Sequence, residues 1–505
     1  MTVGRKQSKT ASADATKRLA RLDRILPRLL RQWGVPGCAA AVTDRDQTIF
    51  ARGYGLRTIG NTQPVTPETN FAICSCTKAF TAISAGIVAD DGRLEWDKPI
   101  RDYYPSFRMN DTILTERLTM RDLLSHRSGV AGNDWLWYFS PVTREEMVRR
   151  LAHLPPNYEL RSTYQYNNLF YMLAGYVAAQ LAGKAWEEVV RERIFTPLGM
   201  SASQFATDNH PLTDNYAAGH TTARLIPVRL FKQSKRENSF AAAIGPIGPA
   251  GAVASNAADM CKWLRMHLNS GETANAGNGK TRVISGANLA EVHRPAMPMP
   301  GSWPPACFEL PELQQAMGLV VAPYRGHRCL FHTGCFCGFK AMQMLLPDAG
   351  FGTVVLLNSD HSLLELVIPL MINDLVTGLE PVDWNRRWRK LARSWEKAPP
   401  LPADIPSKGT CPSHSLPEYT GSFENPAFGA ITIAEDRGKL TLHMNGFTLN
   451  ARHWHYDVFQ TSTDKRGIHF GGFKVRFNTA TSGQIDSLFI PFFLSDEIHF
   501  QRTQP

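Results

Sequence analysis

The sequence predicts an α+β fold: an antiparallel sheet flanked by helices, with an all-helical insert, followed by a small all-β barrel. Three observations carry this. From Pro36, two apolar runs, G-C-A-A-A-V-T-D and T-I-F-A-R-G-Y-G, flank the polar turn Arg45–Gln47, as in a hairpin. Strand-like runs return between about Gln315 and Asn358, after a long middle rich in helices and loops. Past the proline-dense E-K-A-P-P-L-P-A-D-I-P, the composition turns to short β runs with Gly and Asn turns.

Residues 1–17 are polar and basic and read as a disordered tail. From about Thr16, leucines and arginines recur at helical spacing. That predicts a first helix with its Leu/Ile face on the domain, although such a helix also suits a membrane surface. A first domain spans 18–385. Its hairpin joins the later runs Q-A-M-G-L-V-V-A, C-L-F-H-T-G, F-K-A-M-Q-M-L-L-P and F-G-T-V-V-L-L-N in one antiparallel sheet, and a helix follows at Leu363–Leu379. From Ser75 to Ala89 small and apolar residues recur as in a buried helix, which Asp90-Asp91-Gly92 ends. Residues 386–414 read as an extended Pro-rich linker and 415–505 as the β-barrel domain.

The chain has 505 residues, of which 43% are hydrophobic and 20% charged, an ordinary globular balance with room for several domains. The net charge of +10 is not interleaved with aromatics as a nucleic-acid groove requires, so no nucleic-acid partner is expected. Neither a signal-type apolar core nor an apolar run of ~18 residues is visible, so no transmembrane anchor is expected. Nine scattered cysteines suit a reducing compartment. Together these give a cytoplasmic expectation.

The chemistry begins at I-C-S-C-T-K-A-F. Ser75 and Lys78, three apart on a helix, point the same way. A buried lysine can lose its charge and accept the serine proton. In Y-Q-Y-N-N-L-F-Y, Tyr166 supplies a hydroxyl that can act as the general base or relay to it, and Asn168 an amide for a substrate carbonyl or the lysine. In C-L-F-H-T-G-C-F-C-G, His332, Thr333 and Gly334 lie on a strand. These three motifs stand in the order of S-x-x-K, S-D-N and K-T-G. No H-E-x-x-H or G-x-S-x-G competes with them.

On these residues the sequence resembles the serine β-lactamase-like family with class C-type motifs, the penicillin-binding-protein and peptidase S12-like group. The resemblance runs from about Leu19 to Leu379. It includes V-P-G-C-A-A-A-V, A-R-G-Y-G, L-T-M-R-D-L-L-S-H-R-S-G and P-A-G-A-V-A-S-N-A-A-D-M. The tail, E-Y-T-G-S-F-E-N-P-A-F-G with H-W-H-Y-D-V-F, resembles the lipocalin-like C-terminal domain of some members. The resemblance implies a β-lactamase/transpeptidase-like fold and a serine hydrolase that forms an acyl-enzyme on an amide or ester. Ser75 would be the nucleophile, and Lys78 and Tyr166 would move its proton. Asn168, His332, Thr333 and Gly334 would bind substrate, and the Ser75 and Cys335 N–H groups would form the oxyanion hole. No cofactor and no metal are implied. The substrate class is a small molecule or short peptide, with a D-residue, and a homo-oligomer is left open.

His332 departs from the lysine of K-T-G. A neutral imidazole attracts a β-lactam carboxylate less, and relatives with H-T-G tend to be peptidases or esterases. Two alternatives remain open: an acyltransferase or peptide cyclase on the same acyl-enzyme, and a non-catalytic binding protein, which intact Ser75, Lys78 and Tyr166 oppose. Ser75 could also be only a helix N-cap. Tyr164 and His126 read as packing and loop residues. Cys74, Cys76, Cys335 and Cys337 read as small apolar residues rather than a metal cluster. The runs W-L-W-Y-F at Trp135–Phe139 and M-P-M-P-G-S-W-P-P near Trp303 read equally as pocket walls or loop packing.

Overall fold

The computed structural model describes residues 12–208, 212–221, 227–228, 239–275, 279–300, 310–396, 404–463, 471–491 and 497–503. The central sheet has eight antiparallel strands. Two short strands, Met297–Pro298 and Gln314–Gln315, form one edge. Beyond them lie the strands Val320–Tyr324, His327–Phe336, Phe339–Leu346 and Phe351–Leu357, then Gly37–Thr43 and finally Thr48–Gly55. The early hairpin thus joins the late strands in one sheet, as the sequence predicts, through pairs such as Ala40 opposite Val355.

Strand alternation divides the core. Cys38, Ala40 and Val42 face one side, against the helices Leu22–Trp33, Leu364–Thr377 and Trp384–Glu396. Ala39 and Ala41 face the other, with Phe80, Trp263 and the helical insert. The helix Leu22–Trp33 buries Leu22, Leu26, Leu29 and Leu30, exposes Arg24, Arg28 and Arg31, and stops at Gly34 with φ +64. Its basic face is therefore the outer side of a packed helix.

Two boundaries differ from the sequence reading. The tail expected over 1–17 is helical from residue 12, with Ala15 buried; residues 1–11 lie outside the described residues. The helix Trp384–Glu396 occupies the start of the expected linker, because Trp384 and Trp388, one turn apart, insert into the core.

The C-terminal strands close into an eight-stranded antiparallel barrel in sequential order, from Gly421–Asn425 to Glu497–Arg502. Closure leaves no open sheet edge. The barrel also docks on the insert. Asn445 Nδ2 donates to the carbonyls of Trp135 and Tyr138, each at 3.3 Å, and Phe447 meets Phe139 edge-on at 5.2 Å.

Candidate active site

Ser75 lies in the single 3₁₀ turn Cys74–Cys76, directly ahead of the buried helix Thr77–Asp90. The expected helix therefore starts two residues later than Ser75. The turn is tied down from several sides. Ile73 N–H donates to the Val253 carbonyl at 3.0 Å, Val253 N–H donates to Thr77 Oγ1 at 3.1 Å, and Cys76 Sγ contacts the His332 carbonyl at 3.2 Å.

Tyr166 and Asn168 flank the start of the helix Asn168–Ala182, whose N-cap Asn167 accepts from Phe170 N–H at 3.1 Å. Asn167 also donates to the Val130 and Ala131 carbonyls, and its N–H donates to His126 Nδ1 at 3.0 Å. The His126 ring lies 4.4 Å from that of Tyr166. Burial, with the Lys78 charge, holds this imidazole well below its ordinary value, so His126 is a neutral brace for the tyrosine.

The three motifs converge. Tyr166 OH donates to Ser75 Oγ at 2.7 Å, and Lys78 Nζ stands 3.1 Å from the same oxygen. Lys78 also bonds Asn168 Oδ1 at 2.7 Å and the Ala250 carbonyl at 2.9 Å. The lysine is fully buried. Desolvation lowers its pKa to about 7, with Asp134 pulling the other way. Burial raises Tyr166 well above 10, so the phenol stays protonated at neutral pH while the lysine changes charge there.

His332, Thr333 and Gly334 lie on the strand His327–Phe336. A Cβ on Gly334 would stand 2.2 Å from the Ile73 carbonyl oxygen, so only glycine lets this strand lie so close to the Ser75 turn. The neighbouring strand pairs with it only as far as Phe331, which leaves 332–336 with an open edge among the described residues. At the hairpin tip, Phe336 faces Phe339 across a two-residue turn whose residues, Cys337 and Gly338, have φ of +47 and +79. Ladder alternation then turns the Cys335 N–H away from its partner strand, toward the open edge. His332 is buried, and burial lowers it to about 3, aided by the Lys78 charge. It is a neutral side chain.

A cavity of about 440 Å³ opens at Ser75. Trp137, Tyr138 and Phe336 form an aromatic wall, with Tyr138 and Phe336 stacked at 5.4 Å. The Trp135–Phe139 run therefore contributes pocket walls; Met299 and Pro300 also line the cavity, and Trp303 lies outside the described residues. Tyr164 lines the cavity but has no bond to Ser75. Asp134, which sequence reasoning missed, lines it too and accepts from Asn168 Nδ2 at 2.9 Å and Trp137 Nε1 at 2.7 Å. Among the described residues the cysteines are free and no metal-binding cluster exists. No helix among them is long and apolar enough to cross a membrane.

A family model described as Beta-lactamase matches residues 22–370. The chain belongs to the Beta-lactamase family. It is a serine hydrolase of that family. A second model, a domain of unknown function (DUF3471), matches 406–503, the region of the barrel. The "Unguisins hydrolase ungD'" of Aspergillus campestris is 27% identical over 83% of this chain and 78% of its own. Among solved structures, the octameric penicillin-binding protein homologue from Pyrococcus abyssi is similar over 96% of this chain and 100% of its own, with TM-score 0.62 and 19% identity. The D-amino acid amidase from Ochrobactrum anthropi SV3 covers 72% of this chain and 98% of its own, with TM-score 0.56 and 22% identity. These structures share the β-lactamase-family fold.

Proposed function

We propose that the protein hydrolyses an amide or ester through an acyl-enzyme on Ser75, with a peptide containing a D-residue as substrate. The observation that carries this is the placement of Ser75 Oγ between the Tyr166 hydroxyl and the Lys78 amine. Ser75 Oγ attacks the substrate carbonyl and passes its proton to Lys78. The oxyanion rests on the Ser75 and Cys335 N–H groups. Collapse breaks the bond to the leaving amine or alcohol, which takes the proton back by way of Tyr166. Water then repeats the sequence on the acyl-enzyme and frees the acid. Asn168 orients Lys78, and His332, Thr333 and Gly334 border the substrate.

Among the described residues that line the cavity there is no lysine or arginine. With His332 neutral, little there attracts a carboxylate on the leaving side, which favours an internal or capped amide over a β-lactam. The name of the Aspergillus campestris relative supports a hydrolase, and that of the D-amino acid amidase supports an amide substrate with D-stereochemistry. The octameric Pyrococcus abyssi homologue supports a homo-oligomer as part of the same reading, which sedimentation velocity tests.

The test is intact-protein mass after a fluorophosphonate probe, on wild type and Ser75→Ala, beside turnover of D- and L-aminoacyl amides and nitrophenyl esters. One adduct, lost in Ser75→Ala, with turnover of D-substrates, is expected. A folded wild type with neither adduct nor turnover sinks the reading.

A further inference from the structure

Asp134 opens the short turn Asp134–Leu136 in the insert and lines the cavity. Both of its hydrogen bonds fall on one oxygen: Trp137 Nε1 and Asn168 Nδ2 donate to Oδ1. Oδ2 receives no hydrogen bond from any described residue. A purely structural role for Asn168 and Trp137 needs only the one acceptor, which a neutral side chain supplies equally well. Asp134 is moreover the one carboxylate among the described residues lining the cavity, beside the rings of Trp137 and Tyr138. Asp134 is half-buried and faces the cavity, where a ligand N–H can take the place of solvent at Oδ2 and a charged carboxylate makes the stronger hydrogen bond. An ammonium gains further from the aromatic faces. Asp134 and Ser75 line the same cavity, and through Asn168 the carboxylate is two hydrogen bonds from Lys78, so a substrate held on Ser75 lies near it.

We propose that Asp134 Oδ2 anchors an N–H on the acyl residue of the substrate, either a protonated α-amine or the N–H of a preceding peptide bond. This rests on the acyl-enzyme reading above and adds what the site selects for. The acyl group it takes is aminoacyl or peptidyl rather than a plain fatty or arylalkyl acyl group.

The experiment compares three nitrophenyl esters of one skeleton: D-phenylalanyl, N-acetyl-D-phenylalanyl and 3-phenylpropanoyl. Each kcat/KM is divided by the ester's spontaneous hydrolysis rate, on wild type and on Asp134→Asn. Asparagine keeps an oxygen for Trp137 and Asn168 but turns the other position into a donor. In wild type, at least one N–H-bearing ester is expected to lead the 3-phenylpropanoyl ester by about tenfold or more, the scale of a hydrogen bond to a charged group. In Asp134→Asn that lead collapses toward unity, mainly through KM. Which of the two N–H esters leads identifies ammonium or amide as the source. Equal turnover of all three by wild type overturns the proposal without recourse to any variant, and so does an undiminished lead in Asp134→Asn. Fluorophosphonate labelling of wild-type Ser75 separates the two claims: labelling without a lead removes the anchor alone, whereas no labelling removes the acyl-enzyme reading beneath it.

Discussion

Lys78 Nζ stands 3.1 Å from Ser75 Oγ, with its other two hydrogen bonds committed to the Asn168 and Ala250 oxygens. Both of those partners can only accept at these atoms. A neutral amine has two N–H bonds and one lone pair, so the lone pair is left facing the serine hydroxyl. Desolvation of the amine brings that state within reach near neutral pH.

Acylation is therefore expected to rise with pH through about 7 and then level off, because the protonated lysine cannot take the serine proton. Tyr166, held well above 10, and His332, lowered to about 3, stay neutral through that window and add no limb. Lys78→Arg cannot deprotonate, and it should lose about 10²–10⁴-fold in rate. Pre-steady-state acylation from pH 5 to 9 checks both. A flat profile in wild type removes lysine as the base.

Gly334→Ala should act on the proposed oxyanion site while leaving the fold in place. A Cβ there would stand 2.2 Å from the Ile73 oxygen and 2.9 Å from Cys74 Cβ, so the strand and the Ser75 turn must separate. Loss of one oxyanion donor costs about 10²–10³-fold in kcat. Kinetics beside circular dichroism measure this, and near-wild-type kcat in a folded variant would show that the close approach is dispensable.

The motifs were legible because their information is local. S-x-x-K is one helical turn, Y-x-N sits at a helix start, and H-T-G lies on a strand near its hairpin. Each fixes geometry within a few residues. Asp134 was not legible. It meets Asn168 across 34 positions, and D-W-L-W-Y by itself shows only an aromatic loop. The helix Trp384–Glu396 was hidden for another reason. Its two core tryptophans are embedded among arginines, and the prolines beyond residue 398 pulled the reading toward a linker. In the barrel, the short runs A-I-T-I-A, K-L-T-L-H-M, F-K-V-R-F, Q-I-D-S-L-F-I and E-I-H-F-Q-R were legible as β. Phe447–His455 was not among them, although its buried Phe447, Leu449 and Ala451 alternate with polar residues as in the strands that were read.

Acid should destabilise the fold through buried histidines. His267 Nδ1 and His293 Nε2 are 2.9 Å apart, with stacked rings, and both are buried. Burial lowers His293 to about 3, with the Arg328 charge acting the same way, and holds His267 well below its ordinary value. An unfolded histidine takes a proton near 6.5 while the native one does not, so the unfolded state binds more protons as pH falls and stability drops. Each such histidine adds a slope of about 1.4 kcal/mol per pH unit below pH 6. Urea unfolding of wild type and His293→Gln between pH 7.5 and 4.5 should show a shallower slope in the variant. Equal slopes would mean that His293 is protonated in the native state.

The barrel should govern the aromatic wall of the pocket without touching the chemistry. Asn445 holds the Trp135 and Tyr138 carbonyls, and Phe473 packs edge-on against Trp135 at 5.3 Å. Those contacts flank Trp137 and Tyr138, whose rings face the cavity. Removing them frees a loop that must be ordered again when substrate binds, and that cost appears in binding. Asn445→Ala, which loses two hydrogen bonds across the interface, should raise KM for an aromatic ester by about 3–10-fold. The rate at which a small fluorophosphonate labels Ser75 should stay the same, since Ser75, Lys78 and Tyr166 are held by other elements. A labelling rate that falls as far as KM rises would place the barrel's influence on the nucleophile itself. An unchanged KM would leave the barrel no part in shaping the pocket.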